Sequence, residues 1–114
     1  AYNLYINGRQ IWKTRTRESM RDSIAKFELA LSKDSEFALA YVGIADAYNQ
    51  LVMYGHSPSK VATPKAKEEL KKALSINNNL SEAHASLGFI QYVYDCNWDA
   101  ALKSVSKALD LNPN

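Results

Sequence analysis

The residues that most often do chemistry are few in this chain. Of the histidines there are two, His56 and His84, and of the cysteines one, Cys96. With Asp95 beside Cys96 they form neither a Cys-x-x-Cys nor a His-x-x-x-His, so no metal-ligand spacing is present and no metal is expected. One cysteine excludes an internal disulfide framework. The chain has no Gly-rich phosphate loop and no Gly-x-Ser-x-Gly elbow. Glu68 and Glu69 could pass for a carboxylate pair, but Lys65, Lys71 and Lys72 surround them, and pairing along a solvated helix face explains them. Without one convergent pair of titratable groups, the expectation is a protein that is not an enzyme and takes no cofactor.

Charge gives a weaker signal. Fourteen basic residues against twelve acidic leave +2, too little to argue for nucleic acid or an anionic membrane. The cations do gather in 9–26, where Arg9, Lys13, Arg15, Arg17, Arg21 and Lys26 face only Glu18 and Asp22. Solvation of a helix surface is the ordinary reading of such a cluster. Contact with nucleic acid or with an effector domain is the alternative, and it would show a steep salt dependence.

Whatever these residues do, helices must position them. Apolar residues make up 46% of 114, enough for the core of one domain. Tyr41, Ile44, Ala45, Tyr48 and Val52 recur at three and four, as do Trp98, Ala101, Leu102, Val105, Ala108 and Leu109. Alternation at period two is absent, and no apolar run is long enough to span a membrane. The spacing predicts helices at 2–15, 17–32, 37–54, 63–76, 80–95 and 97–111. Their starts are read at Thr16 with Glu18, at Thr63-Pro64, at Asn79 with Glu82, and at Asn97. An irregular connection over 55–62 carries Gly55, His56 and Pro58.

The helices repeat. Ala-Leu pairs begin at 30, 73 and 108, each followed by a polar turn. Ala38 to Tyr48 resembles Ser81 to Gln91. The third unit reads His84-x-x-Leu87-Gly88-x-x-Gln91, then Ala101-x-x-x-Val105 and Pro113. The second reads Tyr41-x-x-Ile44-Ala45-x-x-Tyr48, then Ala66-x-x-x-Leu70, with Asn78 at the Pro position. The first reads Leu4-x-x-Asn7-Gly8-x-x-Ile11, then Ser23-x-x-x-Phe27, with Ser35 at that position. The Ala-Leu pairs are 43 and 35 residues apart, and this helix-turn-helix pattern resembles the tetratricopeptide repeat (TPR), whose period is about 34 residues. The resemblance implies an all-α superhelix of three hairpins, over about 2–35, 36–78 and 79–114. Small residues at Gly8, Ala45, Gly88, Ser23, Ala66 and Ala101 would let paired helices approach closely.

Gly8-Arg9-x-x-Trp12, Ala45-Asp46-Ala47-Tyr48, Glu82-Ala83-His84-Ala85-x-Leu87-Gly88 and Trp98-x-x-Ala101 together resemble the TPR region of certain bacterial regulators. There it follows a winged-helix DNA-binding domain or a class III adenylate cyclase domain. The resemblance implies a regulatory, signalling parent; the start in mid-pattern is read as a fragment, the apolar last helix predicts further repeats after Asn114, and the single cysteine without a signal peptide a cytoplasmic setting. The resemblance also implies a protein or peptide partner held in a concave groove, with no small-molecule substrate and no membrane. Nucleic acid is not the expected partner.

Carried over unit by unit, the groove positions are Tyr2, Tyr5, Arg9, Trp12 and Lys13, then Leu39, Val42, Asp46, Asn49 and Gln50, then Glu82, Ala85, Phe89, Tyr92 and Val93. Tyr2, Tyr5, Trp12, Phe89 and Tyr92 would anchor a partner, while Arg9, Asp46 and Glu82 set its orientation. The alternative packs Tyr2, Tyr5 and Trp12 within the first unit. A C-terminal carboxylate clamp is not expected, because Tyr5, Val42 and Ala85 stand where it needs a cation. Leu102, Val105 and Leu109 leave an apolar edge on the last helix through which copies could associate, and the alternative function is a structural spacer or self-association unit.

Overall fold

A computed structural model describes residues 2–14, 16–55 and 57–112. Six helices are found among them: α1 (Tyr2–Trp12), α2 (Arg17–Lys33), α3 (Ala38–Met53), α4 (Ser59–Ile76), α5 (Ser81–Val93) and α6 (Trp98–Leu111), and no strand. Three expected features, His56, the Arg15 cation and Pro113, lie outside the described residues.

The helix ends follow from local chemistry. Helix α1 stops at Trp12, earlier than the spacing predicts, because the N–H and hydroxyl of Thr14 both turn back to the Ile11 carbonyl. Thr16 caps α2 reciprocally: its hydroxyl accepts from the Ser19 N–H at 3.0 Å, and Ser19 Oγ accepts from the Thr16 N–H at 2.8 Å. Asn97 caps α6 by accepting from the Ala100 N–H at 3.2 Å. The other two expected starts are corrected. Asn79 does not cap α5; its N–H donates to Asn77 Oδ1, and α5 follows Leu80 with no side-chain cap. Thr63-Pro64 does not open α4, which begins at Ser59 and carries Pro64 in its second turn. Burial of Ala62 and Thr63 holds the extra turn in place although proline removes one of its hydrogen bonds. The connection between α3 and α4 therefore shrinks to 54–58.

The second helix of each predicted hairpin ends in the same way. Asp34, Asn77 and Asn112 close α2, α4 and α6 with φ of −147°, −144° and −150°. Each donates its N–H to an alanine carbonyl four residues back, at Ala30, Ala73 and Ala108. The alanines that mark the repeat in the sequence thus receive equivalent bonds in the structure.

Each helix packs on the next, and α3 also touches α1 and α5. Helix α3 is central and apolar nearly all round, with Val42, Gly43, Ile44 and Ala45 buried in succession. On one side Ile44 and Ala40 meet Phe27 and Ala30 of α2. On another, Val42 and Ala45 join Leu70 and Ala66 of α4 and Ile90 and Ala83 of α5. Toward its end, Ala47 and Leu51 cover Met20. Helix α6 packs on α5 alone, and Gly88 admits it: a Cβ there would lie 2.8 Å from Val105.

Candidate functional site

Helices α1, α3 and α5 each touch the next, and one carboxylate joins them. Asp46, in the middle of α3, accepts from Arg9 Nη2 of α1 at 2.9 Å through Oδ2. Through Oδ1 it accepts from Ser86 Oγ of α5 at 2.6 Å. Arg9 also donates from Nε to the Tyr5 hydroxyl at 3.2 Å, and its guanidinium carbon lies 5.6 Å from the ring centres of both Tyr5 and Trp12. Burial pushes the Asp46 carboxyl above its ordinary value, and Arg9 and Ser86 pull it only part of the way back. For Arg9, burial opposes the charge, but Asp46 and Tyr5 outweigh it and hold its pKa above the usual value.

Beside this tie runs a groove of about 280 Å³ lined by Trp12, Asp46, Asn49, Gln50, Met53, Ala85, Ser86 and Phe89. Its apolar walls are Trp12, Met53 and Phe89. Its polar feature is a pair of side-chain oxygens, Asn49 Oδ1 and Gln50 Oε1, both buried with no hydrogen-bond partner. Asn49 is only 6% exposed. A buried carbonyl oxygen without a donor costs about 1–3 kcal/mol, so an N–H or O–H would relieve either one once its side chain turned toward the groove.

The expected groove residues divide. Trp12, Asp46, Asn49, Gln50, Ala85 and Phe89 line this groove, and Arg9 borders it through Asp46. Val42 is wholly buried in the core and cannot meet a ligand; α3 is enclosed there by α4 and α5. Tyr5 packs edge-on against Phe37 at 5.5 Å and tilted against Phe27 at 5.7 Å, and Tyr2 lies 6.4 Å from Phe37, so both join the aromatic packing where α1 and α2 meet the start of α3. Tyr2 nevertheless keeps an exposed surface. Leu39 is half-buried, Lys13 and Val93 are exposed, and none of the three lines the groove. Glu82 is exposed and pairs with Ser81. Tyr92 faces another hollow, with Trp98, Ala101, Leu102 and Val105. Ser86 and Met53 also line the groove and are not among the expected residues. Ser86 falls between two residues that the repeat marks, and nothing in its own spacing distinguishes it from a solvated serine.

The remaining reactive residues have structural surroundings. His84 Nε2 lies 2.8 Å from the Asn78 carbonyl oxygen and ties α5 to the preceding turn. Cys96 is exposed in the α5–α6 turn at φ 52°. Glu69 accepts from Lys72 at 3.5 Å, three residues on rather than four. Among the described residues, no group of three or more His, Cys, Asp or Glu side chains could hold a metal ion, and no helix is long and apolar enough to cross a membrane. The chain matches no protein-family model and no curated protein.

Proposed function

We propose that this chain is a non-catalytic protein-interaction module of the TPR type, which holds a partner segment in the groove along α1, α3 and α5. The observation that carries the reading is the pair of unpartnered oxygens of Asn49 and Gln50 between Trp12, Met53 and Phe89. Such a lining suits a segment that offers a hydrogen-bond donor beside an apolar or aromatic side chain. A lysine, arginine or amide side chain would donate to the two oxygens, whereas a carboxylate offers them no donor. The wider reading, a part of a bacterial regulatory protein that carries a winged-helix or adenylate cyclase domain, rests on the sequence resemblance alone.

A displayed peptide library tests the groove. Selected peptides are expected to pair a cation or amide with an aromatic residue, and to shift the amide resonances of Trp12, Asn49 and Phe89. The variant N49L is expected to fold at least as stably as the parent and to bind such peptides about tenfold more weakly. If no peptide shifts those resonances, the groove reading fails.

A second reading, self-association, has its own support. Trp98 is 68% and Leu102 67% exposed, side by side on the open edge of the molecule. The nucleic-acid reading of the 9–26 region loses one cation, since Arg9 is engaged by Asp46.

A further inference from the structure

A second hollow, of about 440 Å³, shares no lining residue with the groove. Its rim holds three cations, Arg17 and Arg21 from α2 and Lys65 from α4, and no carboxylate lines it. Ile24 and Leu51 are among its apolar residues, and Tyr48 stands beside Lys65, whose Nζ lies 5.8 Å from the ring centre. Arg17 and Arg21 are one turn apart and Ile24 the next turn on, so a single face of α2 supplies both charge and apolar surface. Among the described residues no ion pair engages Arg17, Arg21 or Lys65. Helices α2 and α4 both begin beside this hollow, and their first turns add positive potential of the same sign.

We propose that this hollow binds the phosphoryl group of a small phosphorylated organic molecule. Two guanidinium forks and an ammonium group match a dianion with three terminal oxygens better than a single carboxylate, which one arginine would satisfy. The apolar lining takes the organic part of the ligand. The volume falls in the range of small-molecule sites. Duplex DNA fits less well, since it needs an extended basic stripe on the surface rather than three cations around a concavity. The proposal stands independently of the groove.

Phenyl phosphate is the probe, titrated into the 15N-labelled chain at low salt. It is expected to shift the resonances of Arg21, Val61 and Lys65 to saturation, with a Kd on the order of 1 mM. Inorganic phosphate should bind the same residues several-fold more weakly, and benzyl alcohol should leave them unmoved. R21Q and K65Q, each on a different helix and at exposed positions, should each weaken phenyl phosphate about tenfold while the circular dichroism spectrum and Tm stay those of the parent. Shifts that never saturate, binding by R21Q and K65Q as tight as the parent's, or equal shifts with benzyl alcohol would overturn the proposal. So would a random duplex that occupies the same residues more tightly than phenyl phosphate, with a salt slope of several phosphates; that result would assign the surface to nucleic acid.

Discussion

Phe27 sits fully buried between two backbones with no room for another carbon. A Cβ on Gly8 would lie 2.7 Å from its ring, and one on Gly43 would lie 2.6 Å away. The ring cannot yield, because Ala30, Ala40 and Ile44 enclose it. We expect G43A to cost about 2–3 kcal/mol, measured by urea unfolding, and F27L to recover part of that loss in the double variant. Strict additivity of the two would refute the steric argument. The repeat pattern marked Gly8 but not Gly43. Gly43 lies one residue before the expected Ile44-Ala45 pair, and only the packing of α1 and α3 on the same ring reveals its role. Asp46 gives a second test. Its pKa in the folded chain lies above 3.8, so the folded state holds the proton more tightly than the unfolded state. Its contribution is fully present below 3.8 and is lost as pH rises through the folded-state value. The parent should therefore gain stability relative to D46N as pH falls from 7 toward 4, read from urea midpoints of both proteins. A relative loss on acidification would show that Arg9 and Ser86 dominate burial.

At the level of the helices, two local features carry opposite signs. The Thr16–Ser19 reciprocal cap satisfies donors at the start of α2, and T16A should cost about 1 kcal/mol in thermal unfolding. Pro64 works against its own helix, since it leaves the Lys60 carbonyl without a backbone donor four residues on. P64A should stabilise the chain by about 1–2 kcal/mol, once the lost rigidity of the unfolded chain is deducted. A lower Tm in P64A would mean that the ring's packing outweighs the hydrogen bond. Helix identity was legible because apolar residues recur at three and four, most clearly in α6, and because alternation at period two is absent even in α3, which is apolar nearly all round. The boundaries were less so. Proline in a helix reads as a start, and only the burial of Ala62 and Thr63 against α3 shows that α4 extends a turn further back. Asn79 with Glu82 satisfied the pattern of a capping box, but Asn77 captures the Asn79 N–H first.

Across the whole molecule, the apolar surface is uneven. Helix α6 buries Ala101, Ser104 and Ala108 against α5 and turns Leu102 and Leu109 outward, while Val105 packs at Gly88 and keeps part of its surface in the patch that Tyr92 and Trp98 widen. We expect concentration-dependent association in sedimentation equilibrium, weakened at least about tenfold by L102K. An L102K chain that associates like the parent would place the contact elsewhere. The groove was legible in part. Asp46, Asn49, Gln50 and Phe89 follow from the register of α3 and α5 once the repeat is seen. Val42 and Tyr92 do not, because the register says which way a residue points along an ideal array and not how deeply its neighbours cover it. The second hollow was not legible as a site: Arg17 and Arg21 appear as one helix's solvated charges until α4 brings Lys65 to them. One consequence concerns how the outer hairpins sense each other. Helices α1 and α5 make no direct contact, yet Arg9 and Ser86 hold opposite oxygens of the same carboxylate. Any event that draws Asp46 toward one of them strains its grip on the other, so a shift of α1 and a shift of α5 are felt at one shared carboxylate.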